Sequence, residues 1–219
     1  MIRVWVTGLF LCFFCGKIAA QRADLGTWNI VQARHKINNR WGVFGEAQLR
    51  SLRLYNHFHY YEYKGGVEYW AHPNIRVALA AGSYQTYREG GDFVRPKNND
   101  EFRIWPQITL TQPLGRWKIE QRYRAEFRFT SNGFRQRFRQ RISAVYAFGP
   151  KQKWQISGSN ELFFTNREPY FERNRVALNL TYKFNNRVSA MLGYLHQFDY
   201  KINDETGRDF LQTGVYFDL

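Results

Sequence analysis

Residues 117–129 read WKIEQRYRAEFRF, and this stretch decides the fold. Trp117, Ile119, Tyr123, Ala125, Phe127 and Phe129 alternate with Lys118, Glu120, Arg122, Arg124, Glu126 and Arg128, and only Gln121 breaks the apolar side. Successive side chains of a strand point to opposite faces, so the stretch is a strand with one oily and one charged face. The next segment, FRQRFRQRISAVYAF (134–148), repeats the pattern. Arg135, Arg137, Arg139 and Arg141 share one side, and Phe134, Phe138, Ile142, Ala144, Tyr146 and Phe148 share the other, interrupted by Gln136 and Gln140.

Outward from this pair, similar segments recur at Asp24 to Lys36, Trp41 to Ser51, Phe58 to Trp70, Ile75 to Tyr87 and Glu101 to Gln112. Beyond it they continue at Lys153 to Phe164, Phe171 to Phe184, Arg187 to Phe198 and Asp209 to Leu219. Most exceed the ~5–6 residues of a globular strand and suit the ~9–11 tilted residues that cross a bilayer. The connections also sort. Asn38-Asn39, Ala71 to Asn74, Pro113 to Gly115, Gly149 to Lys151 and Asn185-Asn186 are tight and rich in turn formers. Leu52 to His57, Arg88 to Asp100, Thr130 to Gly133, Thr165 to Tyr170 and Asp199 to Arg208 are mostly longer. Short turns at one end and longer loops at the other suit a membrane barrel.

The N-terminus supplies a route to such a membrane. Met1-Ile2-Arg3 is a basic start, Val4 to Gly16 is apolar, and KIAAQ offers a cleavage site after Ala20. This reads as a secretory signal peptide over residues 1–20, followed by one domain over residues 21–219. Thirteen apolar residues are too few for a helical span, which takes ~20. Cys12 and Cys15 fall inside the segment to be removed, so their CxxC spacing is neither a redox nor a metal motif. The whole chain carries 32 Lys and Arg against 18 Asp and Glu; without Arg3 and Lys17 the net charge is +12. Mean hydropathy is negative, yet aromatics make up 18% of the chain, more than solubility alone explains.

In lipid every backbone polar group must be paired internally, so a spanning sheet has to close. The C-terminal alternation of Leu211, Thr213, Val215, Phe217 and Leu219 fits a sealing strand. It also resembles the signal by which the barrel-insertion machinery recognises its clients. The expected fold is all-β: a single antiparallel up-and-down transmembrane β-barrel. Eleven segments are visible, but bacterial single-chain barrels have even strand numbers. The expectation is therefore ten or twelve strands, with Asp24 to Lys36 and Arg187 to Phe198 the weakest segments.

The opening LGTWNIVQARHKINNRWGVFGEAQLRS (25–51), the arm YYEYKGGVEYW (60–70) and the final GVYFDL (214–219) together resemble the small bacterial outer-membrane proteins catalogued as domain of unknown function 2490. The resemblance implies location in the cell outer membrane of a Gram-negative bacterium and a barrel architecture. It brings no activity and no functional residues.

Charged faces must point away from lipid, because Arg or Lys on the lipid face at the midplane costs ~2–4 kcal/mol. Hairpin arithmetic then sets Glu126 between Arg103 and Arg137, and Glu161 between Arg141 and Arg175. With Arg139 these form the candidate lumen charge network. Two readings stand: ion pairs that strap and close the lumen, or a lining that selects small anions in a narrow pore. The expected partners are outer-membrane lipid, the insertion machinery through the C-terminal strand, and small anions.

Other chemistries are weaker. FRFTSNGFRQRFRQR resembles a nucleic-acid patch, but strict alternation puts rings and guanidinium groups on opposite faces, so no nucleic acid is expected. Ser131-Asn132-Gly133 resembles the serine end of an outer-membrane lipid hydrolase site, yet no histidine lies between His72 and His196. No enzyme activity is expected. His57 and His59 share a parity that could clasp a metal, but among Phe58, Tyr60 and Tyr61 they fit an interfacial belt better. No cofactor motif is present, since neither Gly65-Gly66 nor Gly90-Gly91 opens a helix.

Overall fold

The computed structural model describes residues 25–200 and 205–219. Residues 1–24, which include the expected signal segment with Cys12 and Cys15, and residues 201–204 lie outside the described residues. Eleven strands follow one another: β1 (Gly26–Lys36), β2 (Trp41–Arg53), β3 (Asn56–His72), β4 (Ile75–Arg88), β5 (Val94–Leu114), β6 (Trp117–Thr130), β7 (Gly133–Phe148), β8 (Trp154–Thr165), β9 (Phe171–Lys183), β10 (Val188–Asp199) and β11 (Thr206–Asp218). Among the described residues the sole helical element is a 3-10 turn, Pro150–Gln152.

Each strand pairs antiparallel with the next, and β1 and β11 close the barrel. This corrects the expected ten or twelve strands, and it corrects the expectation of a wholly antiparallel wall. With eleven strands the first and last run the same way, so the seam is parallel, in register from Gly26↔Phe210 to Arg34↔Asp218. Closure satisfies the backbone whatever the parity. The two segments of weakest pattern are both wall strands. Thr213 Oγ1 donates to Asn29 Oδ1 at 2.7 Å across the seam, and the Leu219 amide donates to the Arg34 carbonyl at 2.7 Å.

Connections alternate between the two ends of the barrel. Residues 37–40, 73–74, 115–116, 149–153 and 184–187 join strands at the end where β11 finishes; 54–55, 89–93, 131–132, 166–170 and 200–205 join them at the other. The expected contrast in loop length largely disappears. Part of Arg88 to Asp100 is strand, with Asn99 opposite Thr86 and Val94 opposite Arg88 across an irregular stretch at 95–98, and its tip folds against β3, where the Phe93 amide donates to the Phe58 carbonyl at 2.7 Å.

The polarity of the wall is inverted relative to a water-soluble domain. Val31, Val67, Leu79, Ile142, Leu178 and Leu192 stand exposed on the outer face, while carboxylates and guanidinium groups are buried. Aromatic rings band the outer wall at both ends. At the end of the tight turns, three Trp–Tyr cross-strand pairs repeat one geometry: Trp41–Tyr69, Trp117–Tyr146 and Trp154–Tyr182, with centroids 4.8, 4.8 and 4.7 Å apart. At the opposite end the band is richer in phenylalanine, with Phe129–Phe134 at 5.3 Å and Phe164–Phe171 at 5.7 Å.

Candidate functional site: the charged interior

A single-layer barrel has no second sheet to cover its inner face, so its buried polar groups must satisfy one another across the bore. Glu126 of β6 is the hub. Its side chain is 0% exposed. Oε2 accepts from Arg137 Nη2 at 2.6 Å and Nε at 2.8 Å, and Oε1 accepts from Arg139 Nη1 at 2.6 Å. Arg124 and Arg103 approach the same carboxylate at 3.6 and 3.7 Å. Four guanidinium groups therefore share one anion.

From this hub the ion pairs close into a ring. Arg103 bonds Glu101 at 2.8 Å, Glu101 bonds Arg128, Arg128 lies 3.7 Å from Glu172, and Glu172 accepts from Arg137 at 3.2 Å, which returns to Glu126. The Arg128–Glu172 contact reaches from β6 past β7 and β8 to β9, so it is a chord through the interior. Glu161 joins the ring through Arg139, at 2.9 Å, and also accepts from Arg122. A second set holds β2 to β3: Arg50 reaches Glu62 at 3.2 Å, and Lys64 bonds Glu46 at 2.6 Å.

The structure thus brings Arg103, Glu126, Arg137, Arg139 and Glu161 together. Arg137 lies opposite Glu126 in the ladder. Arg103 lies opposite Arg128 and meets Glu126 diagonally, because Pro113 and Leu114 stay paired and the turn falls at Gly115-Arg116. Gly115 there adopts φ +64°, a left-handed conformation that a residue without Cβ reaches at little cost. Arg141 and Arg175 both lie opposite Glu161 in register. Its carboxylate is nevertheless held by Arg122 and Arg139, and among the described residues no carboxylate forms a salt bridge with Arg141 or Arg175.

Aromatic rings separate the crowded cations, a role the alternation pattern alone did not reveal. Phe163 is 0% exposed, and the guanidinium carbons of Arg139, Arg175, Arg137 and Arg173 stand 4.5, 4.7, 5.3 and 5.8 Å from its centroid. Arg50 lies 3.4 Å from the Trp28 centroid and 4.1 Å from that of Tyr60. Such faces attract cations, more strongly when desolvated. The signal for Phe163 was the run Leu162-Phe163-Phe164, where alternation fails and an aromatic falls on the charged parity. Glu101 and Arg128 carried only their parity, whereas Glu172 falls on the outward parity of β9 and turns inward at the bulge between Arg173 and Phe171.

Within the bore a cavity of about 210 Å³ remains, lined by eight Lys and Arg side chains against three Glu. On the outer wall Val31, Ala33, Gly45, Ala47 and Ala81 edge a shallow apolar depression beside Tyr63 and Phe102. His59 is buried beside Tyr60 at the bulge where β3 shifts against Arg50 and Ser51, which corrects its expected place in an interfacial belt. No three His, Cys, Asp or Glu side chains among the described residues gather as a metal set. His196 Nδ1 lies 2.8 Å from Asp209 on β10–β11, whereas Ser131 sits between β6 and β7, with β8 and β9 intervening.

Fold and interior define a closed β-barrel strapped by buried ion pairs. Residues 25–208 match the family described as protein of unknown function (DUF2490), and the chain belongs to that family. Comparison with curated proteins and with solved structures gives no match.

Proposed function

We propose that the protein is an outer-membrane β-barrel whose basic, ion-paired lumen is closed, and which acts as a structural or binding barrel through its outer loops. The three matched Trp–Tyr pairs carry this reading. Amphipathic rings at one level around a wall, with an apolar band beside them, are what a membrane–water interface selects. A soluble barrel gains nothing from such a girdle. The chain catalyses no reaction in this reading. Its partners are outer-membrane lipid and the insertion machinery, which engages β11.

Closure rests on the chords. A barrel of about eight strands is filled by its own side chains, whereas sixteen leave a channel. At eleven the bore is filled because Arg, Glu and buried rings reach across it. Membrane fractionation, with gel mobility before and after boiling, tests the location: recovery as a soluble periplasmic protein with unchanged mobility would end the proposal. Planar-bilayer recording tests closure, and the purified protein is expected to be silent.

The alternative is a narrow anion-selective pore, favoured by the excess of cations around the interior cavity. It requires steady anion-selective conductance that falls in Arg139→Ala.

A further inference from the structure

Two arginines on the cavity wall set its chemistry. Arg175 is 8% exposed and forms no salt bridge with any carboxylate of the described residues; its Nε donates to the neutral Gln197 at 2.9 Å. Its guanidinium carbon lies 4.7 Å from the centroids of both Trp28 and Phe163. Arg50, on the other side of the wall, shares the Trp28 ring. Arg50 Nε and Arg103 Nε, both on the cavity wall, are buried donors without a partner.

The charge does not balance even generously counted. Glu46, Glu126, Glu161 and Asp199 hold lining cations from outside the cavity wall. Adding these four to the three lining Glu still leaves the cations in excess. Glu126 and Glu161 are moreover shared with Arg124 and Arg122, which do not line the cavity. Burying an unpaired charge costs several kcal/mol, and water solvates such a group without neutralising it. Planar guanidinium forks are the side chains best matched to oxyanions, which they bind through paired N–H donors.

We infer that the interior cavity beside Arg175, Arg50 and Arg103 is a binding site for a small water-soluble oxyanion of the phosphate class, inorganic phosphate or a compact phosphomonoester. The anion supplies the charge that Arg175 lacks and meets the guanidinium groups of Arg50 and Arg103 on the same cavity wall. A cavity of about 210 Å³ admits a group of this size. The barrel wall separates the site from the bilayer, so the ligand is a free solute and not a lipid headgroup. Thr86 and Asn99, paired between β4 and β5, put the entry at the end of the barrel that carries the β4–β5 connection. This deepens the binding-barrel proposal and rests on it for the anion being held and not passed through.

The test uses the full exported chain in an uncharged detergent, so that no lipid phosphate competes, with chloride holding ionic strength constant. Inorganic phosphate is titrated by calorimetry and by its effect on Tm. Saturable binding and a Tm rise of about 5 °C at saturation are expected. Arg175→Gln should weaken binding at least tenfold while keeping or raising the Tm measured without phosphate, because it removes an uncompensated charge. Arg50→Gln serves if that variant does not fold, and Lys97→Gln, an exposed change away from the cavity, should bind as wild type does. A flat titration overturns the site, and so does an equal response in Arg175→Gln, which would mean a general salt effect only. Bilayer recording keeps the two readings apart: a conducting wild type sinks the closed barrel yet leaves the site intact if phosphate blocks the current, whereas a silent wild type that ignores phosphate sinks the site alone.

Discussion

Arg137 places Nε and Nη2 on one carboxylate oxygen of Glu126, at 2.8 and 2.6 Å, and leaves the other oxygen to Arg139. The carboxylate is therefore the counterion shared by four cations: Arg103, Arg137 and Arg139 also reach Glu101, Glu172 and Glu161, while Arg124 has no second carboxylate partner among the described residues. Removing it differs in kind from removing any one of its partners.

Glu126→Ala is expected to destabilise the barrel by about 3–5 kcal/mol, the usual consequence of stripping a buried charge of its partner. Arg137→Ala should cost less, because Glu126 keeps Arg103, Arg124 and Arg139. Urea unfolding followed by gel mobility measures both. A Glu126→Ala loss under about 1 kcal/mol, typical of exposed pairs, would remove Glu126 from its central place.

The parallel seam can be locked. Asn29 and Thr213 are register partners, so Asn29→Cys with Thr213→Cys, in a background lacking Cys12 and Cys15, should form a disulfide under mild oxidation. Asn29→Cys with Leu211→Cys, two residues out of register, should not. Efficient crosslinking of the second pair alone would shift the register.

Phe163→Ala removes the ring that four guanidinium groups surround. It should cost about 3–5 kcal/mol through the cavity it leaves. Phe163→Leu keeps most of the volume and loses the π face, so about 1–2 kcal/mol is expected. Equal losses would mean that the ring acts through volume only.

For topology, an epitope inserted after Gly90, in the β4–β5 connection, should be labelled on intact cells, and one between Asn38 and Asn39 should not. The assignment follows from a C-terminus on the periplasmic side, which puts the 37–40 turn there and the β4–β5 connection at the opposite end. Labelling of the second site alone inverts the barrel.

Period-two alternation made the wall legible in the sequence, because a strand with one buried and one exposed face imposes the same rule on every residue. It located all eleven strands, including Arg187 to Phe198, and placed Arg137 opposite Glu126. What misled was a habit of the class: even parity is a regularity of known barrels, and backbone pairing demands closure alone. Contacts across the bore were illegible for a different reason. Ladder register says that Glu161 faces Arg141 and Arg175, but long side chains choose partners in three dimensions, and Glu161 takes Arg122 and Arg139 instead. The inward Phe163 was marked only by a lapse in the pattern.

The seam also governs how this chain could be rearranged. Since β1 starts at one end of the barrel and β11 finishes at the other, a circular permutant cannot join them with the short loop that serves an even-stranded barrel. Its linker must run the height of the wall, roughly ten extended residues at about 3.3 Å each. Laid along the outside of the proposed membrane barrel that linker would cross lipid with unpaired amides, and threaded through the bore it would have to displace the arginine network. Cutting and rejoining, harmless to most up-and-down sheets, should be forbidden to this one.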